Sequence, residues 1–224
     1  MKKLLSIAAA ALVGTTVAAS AATLSIDSTN PGSIPGTSIN EILPTLPVAL
    51  SGTGELSGFF ESSIKVSNIG ADEKLRIDVW GYEALYKNTF SLGAGGSDGV
   101  YNTIPGSNGV NLQTGNLLTW YTDGIDVDVD GNLIFSFSTT GPSSPNTVAN
   151  GSANTVATDM INFFAHQAAD GSIWLLLDDG DVLGGDDDNH DDLVIRIASV
   201  PLPAGALLLL TGLGALGLRR RMTA

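Results

Sequence analysis

A dense run of aspartates in the last quarter of the chain has the residue types and spacing to do chemistry. Eight aspartates fall between positions 178 and 192, separated mainly by glycines. Carboxylates this close together raise one another's pKa and repel unless a cation lies among them. Carboxylate and amide oxygens are the ligands that calcium prefers. The sequence predicts a calcium site with ligands from Asp178, Asp179, Asp181, Asp187, Asn189, Asp191 and Asp192.

The alternative for this run is a solvated acidic loop, which is the common structure of a charged segment. Apolar segments border the run on both sides, at 173–177 and 193–197. As neighbouring strands they would hold the two ends of the loop together. That arrangement favours the metal site over the solvated loop.

A second acidic segment, residues 126–132, reads Asp-Val-Asp-Val-Asp-Gly-Asn and matches the opening of a calcium loop. An EF-hand also needs a glutamate at the end of the loop, where this sequence has Phe137. The aspartates alternate with apolar residues, which equally predicts a strand ending in an Asp-Gly turn. We predict a weaker calcium site here, with the strand and turn as the favoured alternative, at Asp126, Asp128 and Asp130.

Part of the first acidic run has a family resemblance. Residues 187–195, Asp-Asp-Asn-His-Asp-Asp-Leu-Val-Ile, resemble the aspartate-rich motif of DUF4114-type domains. Asn189 stands where aspartate is usual in that motif, and His190 stands where an aromatic residue is usual. Residues 81–90, Gly-Tyr-Glu-Ala-Leu-Tyr-Lys-Asn-Thr-Phe, are similar to a segment found early in such domains. The resemblance implies a calcium-stabilised β domain, and its motif is matched at Asp187, Asp191 and Asp192.

The C-terminal end has a second resemblance. Residues 200–204 lead into an apolar run that ends at Leu218 and is followed by three arginines. A run of about 17 residues is at the short limit for a membrane-spanning helix, and the arginines favour the cytoplasmic side. The combination resembles the VPLPA variant of PEP-CTERM sorting signals, and a plain membrane anchor is the alternative. The resemblance implies handling by an exosortase-type membrane protease at Val200, Pro201, Leu202, Pro203 and Ala204.

The N-terminal end has the order of features of an export signal. Lys2 and Lys3 precede an apolar run from Leu4 to Val17, and small residues follow at 19–22. We predict a signal peptide over residues 1–22 and therefore export. An N-terminal core helix is the alternative.

The charge balance excludes one class of partner. The chain has 10 basic and 23 acidic residues, and five of the basic ones lie in the two ends. The remainder has a net charge of about −18, which repels nucleic acid and attracts divalent counterions. The chain has no cysteine, so thiol and disulfide chemistry are excluded as well.

Two other activities compete with a structural role. A carbohydrate-binding module would need an exposed aromatic platform, for which core packing is the competing use of the same residues. A secreted hydrolase would need a Ser-His-Asp set or two facing carboxylates. His166 and His190 lie in no nucleophile motif, so we predict no enzyme and no catalytic residue. The candidate platform residues are Trp80, Tyr82, Trp120, Tyr121 and Trp174.

Short strands are the elements that must position these residues. Strand-like patterns occupy 59–69, 74–82, 88–92, 117–121, 133–138, 160–166, 173–178 and 193–198. Turn-forming residues separate them, and a hairpin is predicted around residues 68–70. Residues 156–169 are also compatible with a helix. The spacing predicts an all-β fold, an antiparallel sandwich or jelly roll over residues 55–199.

The remaining segments complete the predicted organisation. Residues 23–54 are rich in Ser, Thr, Pro and Gly, and we predict an extended leader with one edge strand. Residues 200–224 form the sorting tail with its transmembrane helix. We expect an exported cell-surface or extracellular-matrix protein with a structural or adhesive role or an association with exopolysaccharide.

Overall fold

Fourteen β-strands form the regular structure of the part of the chain that the computed structural model describes, together with short 3₁₀ turns at Leu43–Thr45 and Ala94–Gly96. The described residues are 21–35, 42–70, 72–106, 111–141, 146–151, 160–180 and 189–200. The predicted all-β class is confirmed. The strands are β1 Thr23–Asp27, β2 Asn30–Ile34, β3 Leu56–Phe60, β4 Ser63–Ser67, β5 Leu75–Ala84, β6 Asn88–Leu92, β7 Gly99–Asn102, β8 Asn111–Gln113, β9 Leu118–Tyr121, β10 Phe135–Thr139, β11 Thr147–Ala149, β12 Asn162–Gln167, β13 Ile173–Asp178 and β14 Leu193–Ser199.

The strand pairings are antiparallel and form three sheets. The smallest pairs β1 with β4, and a four-stranded sheet has the order β11-β10-β6-β7. The largest has the order β2-β3-β12-β13-β14-β5-β8, and β9 also pairs with β5. Residues 156–169 were also compatible with a helix. In the described part of that range, residues 160–169, the structure has strand β12 instead.

The main core lies between the four-stranded and the eight-stranded sheets. Alternate residues of β13, namely Ile173, Leu175 and Leu177, are buried in one apolar cluster with Phe90 of β6 and Phe137 of β10. Because side chains alternate between the faces of a strand, one whole face of the larger sheet points into this cluster. The arrangement is consistent with a β-sandwich.

A second core covers the other face of the eight-stranded sheet. Trp174 and Leu176 of β13 are buried there with Ile42, Leu43 and Leu46. These last three residues belong to the segment predicted as an extended leader, which also contains β1 and β2. The structure therefore differs from that prediction, because β13 is apolar on both faces and its outer face has to be covered.

The hairpin predicted around residues 68–70 is not formed. The strand before it, β4, pairs with β1, and the strand after it, β5, pairs with β14, β8 and β9. Asn68 has a positive φ of 57°, so the chain does turn there. Alternation shows which face of a strand is buried but does not identify its neighbour.

A β-bulge lies in the middle of β5, where the pairing with β14 shifts by one residue at Trp80. Before the shift the odd-numbered residues of β5 enter the main core, and after it Tyr82 and Ala84 do so. A Cβ on Gly81 would lie 2.6 Å from the backbone oxygen of Gln113. Glycine is required here because β8 approaches the bulged strand closely.

A buried ionic network lies on the outer face of the same sheet. Asp78 is 1% exposed, and it accepts hydrogen bonds from Arg76 Nε at 2.9 Å, Arg196 Nη1 at 3.0 Å and Thr119 Oγ1 at 2.6 Å. Arg196 also donates to Asp170 at 2.7 Å. This carboxylate is compensated by neighbouring cations.

The predicted targeting segments lie mostly outside the described residues. Of the signal peptide only Ala21 and Ala22 are described, and of the sorting tail only Val200. Within the described ranges, no helix has the length and apolar character needed to cross a membrane.

Candidate functional site

Buried polar side chains gather where β13 ends and β14 begins. Asp178 is the last residue of β13, while Asp191 and Asp192 directly precede β14. The two strands pair, as the sequence predicted, so these ends adjoin. We call Asp178, Asp179, Asp191 and Asp192 the acidic cluster. Three of its members are at most 5% exposed, and Asp192 is partly buried.

Asp178 belongs to a hydrogen-bonded group beside the second core. Its Oδ1 accepts from the backbone N–H of Gly180 at 2.9 Å, and its Oδ2 accepts from Asn162 Nδ2 at 3.3 Å. His190 Nε2 lies 2.9 Å from Asn162 Oδ1, and its Nδ1 lies 3.8 Å from Asp178 Oδ2. Asn162 therefore connects Asp178 to His190.

The imidazole of His190 packs as an aromatic ring. It lies edge-on to Phe60 at 5.6 Å and to Phe164 at 6.2 Å between ring centroids. The residue is 4% exposed and has a positive φ of 60°. His190 thus packs between two phenylalanine rings at a buried position.

Asp179 makes contact with the facing sheet. Its Oδ2 accepts a hydrogen bond of 2.8 Å from the side-chain Nδ2 of Asn88, the first residue of β6. Its backbone N–H donates to Asp192 Oδ2, also at 2.8 Å. This contact brings two acidic residues and an amide from the opposite sheet together.

The pKa of Asp192 is raised well above the usual value of 3.8, first by burial and then by the negative charge of Asp179. A carboxyl group whose pKa is higher in the folded state favours folding less as it ionises. When no cation is bound, Asp192 does not destabilise the fold at a pH below the usual aspartate pKa. The destabilisation grows as the pH rises from that value toward the pKa of Asp192 in the folded state. A bound cation would remove this cost.

Asn88 and Asn162 were not among the predicted site residues. Asn88 lies on the inward side of β6, where the other inward residues are Phe90 and Leu92. The sequence does show a polar residue in line with two apolar ones. This pattern identifies Asn88 as a buried polar residue only once the inward face of β6 is known.

Five of the seven predicted ligands of the first calcium site lie at the junction of β13 and β14, namely Asp178, Asp179, Asn189, Asp191 and Asp192. Asn189 Oδ1 accepts from the backbone N–H of Asp191 at 3.1 Å, so this amide stabilises the turn. Within the described ranges, no three His, Asp or Glu side chains are gathered as a preformed metal site. The other two predicted ligands, Asp181 and Asp187, lie outside the described residues.

The second acidic segment forms a turn around Asp128. Its Oδ1 accepts from the backbone N–H groups of Asp130 and Asn132 at 2.8 and 2.9 Å, and its Oδ2 accepts from the Asn132 side chain at 2.8 Å. The bonds from Asn132 lower the pKa of Asp128. Asp126 instead accepts from Ser97 Oγ at 3.3 Å. The carboxylates are engaged separately, which is the geometry of the turn alternative.

The candidate platform residues do not share one exposed surface. Tyr82 and Trp174 are buried, and Trp80 lies edge-on to Trp174 at 5.4 Å. Trp120 packs against the main core and donates through Nε1 to a backbone oxygen. Tyr121 on the opposite face is 56% exposed. No stacking platform is assembled from these five residues.

The other histidine, His166, lies near the surface. Its Nδ1 is 2.7 Å from the backbone oxygen of Ser57 rather than from a serine hydroxyl. A shallow, open depression of about 600 Å³ beside it is also lined by Phe59 and Gln167. This contact does not have the geometry of a nucleophile and its base.

Comparison with known proteins finds no relative of this chain. It matches no family model, no curated protein and no solved structure.

The chemistry of the acidic cluster follows from its own atoms. Carboxylate and amide oxygens are hard ligands that suit calcium or magnesium rather than softer metals. Asp178, Asp179 and Asp191 are buried, whereas a general acid or base has to reach its substrate. The arrangement therefore suits a structural cation better than acid-base catalysis.

Proposed function

We propose that this protein is an exported cell-surface or extracellular-matrix protein whose jelly-roll-like β-sandwich is stabilised by calcium. The observation that supports the proposal is the burial of several carboxylates at the β13–β14 junction. Three of them, Asp178, Asp179 and Asp191, are at most 5% exposed. Buried like charges at one place destabilise the fold unless protons or cations compensate them.

Calcium is the favoured cation because of the ligand type and the geometry that it tolerates. The cluster offers oxygen ligands from short side chains on two strand ends, and calcium accepts irregular oxygen shells more readily than magnesium does. His190 is already held by Asn162 and by two phenylalanine rings. Its ring therefore serves as support for Asp178 rather than as a transition-metal ligand.

The proposed location rests on the two ends of the sequence. The N-terminal signal peptide directs export, and the C-terminal tail is sorted by an exosortase-type membrane protease after holding the chain in the membrane. A domain stabilised by an external cation, with no assembled catalytic pair at His166, fits a structural or adhesive role. Association with exopolysaccharide is the most specific form of that role.

The first prediction concerns calcium and thermal stability. The full-length protein, purified in a mild detergent, is unfolded by heat in excess calcium and in chelator at pH 7.5. At a free calcium concentration of about 100 times Kd the folded state gains about 2.7 kcal/mol, which corresponds to a rise in Tm of about 5–10 °C. The shift should be smaller at pH 5, because protons then compete with calcium.

Variants at two acidic segments provide the control. Replacing both Asp191 and Asp192 by Asn should abolish the calcium shift, since two charges of the cluster are lost. Asp128→Asn changes the other acidic segment, where Asp128 is bonded within its own turn, and should keep the shift. An identical Tm of the natural sequence in calcium and in chelator would contradict the proposal.

A further inference from the structure

One buried oxygen beside the acidic cluster lacks a hydrogen-bond donor. Asn88 is fully buried. Its backbone N–H donates to Thr103 Oγ1, and its side-chain Nδ2 donates to Asp179, both at 2.8 Å. Its Oδ1 accepts no hydrogen bond from the residues that the structure describes. A buried acceptor without a partner is destabilising, so this oxygen is available to bind a water molecule or a cation.

Asn88 lies at the contact between the two large sheets. Asn88 begins β6 of the four-stranded sheet, whereas Asp179 directly follows β13 of the eight-stranded sheet. The amide nitrogen contacts the Asp179 carboxylate, and the amide oxygen is bonded to the same carbon as that nitrogen. An amide group from one sheet and a carboxylate at the end of a strand of the other thus meet at one end of the main core.

We propose that Asn88 Oδ1 is a ligand of a divalent cation held with the carboxylates of Asp179 and Asp192, so that the ion joins the two sheets. The proposal rests on the calcium-stabilised function given above and adds a ligand from the facing sheet. The bond from Nδ2 to Asp179 fixes the amide so that its oxygen is free to bind metal. The bond from the Asp179 backbone fixes the Asp192 carboxylate in the same way.

A buried water molecule is the competing partner for this oxygen. Water would satisfy Asn88 Oδ1 but would leave the repulsion between Asp179 and Asp192 in place. A divalent cation satisfies the amide oxygen and both charges at once. The joint presence of an orphan acceptor and two nearby carboxylates therefore favours the cation.

Two substitutions of Asn88 should act in opposite directions. Calcium chloride is titrated into the full-length protein by calorimetry, and Tm is measured in calcium and in chelator. Asn88→Ala removes the ligand and should weaken calcium binding about tenfold or more. Asn88→Asp keeps an oxygen and adds a charge, so its Tm should fall in chelator and recover in calcium, giving a larger calcium shift than the natural sequence gives.

Asn132 offers a matched control. It is also mostly buried, at 8% exposed, and its Nδ2 also donates to an aspartate, Asp128, at 2.8 Å. Asn132→Ala should therefore lower stability while leaving calcium affinity unchanged. A merely structural role for Asn88 would give this same result.

The outcomes separate this inference from the proposed function. If the natural protein binds no calcium, both fail. If it binds calcium and Asn88→Ala binds equally tightly, only the ligand role of Asn88 is overturned. If Asn88→Ala does not fold, Asn88→Asp provides the test. A rise in its Tm with calcium no larger than that of the natural sequence would also overturn the ligand role of Asn88.

Discussion

Aspartate has two contrasting environments in this molecule. Asp78 is buried, and its charge is compensated by Arg76 at 2.9 Å and Arg196 at 3.0 Å. Asp192 lies among other carboxylates, and its pKa is raised well above the usual value by burial and by Asp179. The charge of the same side chain is therefore compensated by arginines at one place, whereas at the other the compensating charge is, in our proposal, a bound cation.

At the scale of the residue, Asp78→Asn is expected to lower the free energy of unfolding by about 3 kcal/mol. The change removes the carboxylate that compensates Arg196, whose side chain is only 19% exposed. Urea denaturation measures the effect. Asp123→Asn is the control, because Asp123 is fully exposed and its pair with Lys74 should contribute little. Equal effects of the two substitutions would contradict the role assigned to the network.

At the scale of the element, β13 determines how the chain has to be arranged around it. All six of its residues are buried, and the five apolar ones divide between the main core and the second core. A strand that is apolar on both faces needs a layer on each side. The segment with Ile42 and Leu43 supplies part of the outer layer, although its prolines and serines are typical of a linker.

Leu43→Ala tests this use of the segment. The side chain is fully buried, so its truncation should cost about 2–5 kcal/mol of unfolding free energy in urea denaturation. Val129→Ala, at a fully exposed position, should leave stability unchanged. If Leu43→Ala also left the free energy of unfolding unchanged, residues 42–50 would belong to the extended leader that the sequence predicts.

The sequence predicts the strands of this domain better than their partners. The predicted segments 88–92, 173–178 and 193–198 correspond to β6, β13 and β14 with ends within two residues. Their local alternation or apolar runs suffice for that. The pairing of β4 with β1 was not predictable, because no local pattern distinguishes it from a hairpin between β4 and β5.

At the scale of the whole molecule, the acidic domain is joined to two predicted targeting ends. Outside those ends the net charge is about −18, and a charge of this sign is repelled by an anionic membrane surface. Under the proposed function, any anchoring would therefore have to come from the tail.

Transfer of residues 200–224 to an exported reporter tests the sorting proposal. In a bacterium with an exosortase-type protease, the reporter should be shortened and leave the membrane, as followed by its size on a gel and by cell fractionation. A tail with Pro201→Ala and Pro203→Ala should stay at full size in the membrane. An unprocessed, permanently membrane-bound reporter with the natural tail would count against the proposal.

The sequence by itself determined the all-β class, the positions of the main strands and the closeness of the aspartates between β13 and β14, because these depend on neighbours along the chain. Only the tertiary structure decided that residues 42–46 cover the outer face of β13. Only the tertiary structure brought Asn88 to Asp179, 91 positions away in the chain. The physical reason is that alternation determines which face of a strand is buried, whereas packing between sheets determines which distant residues meet there.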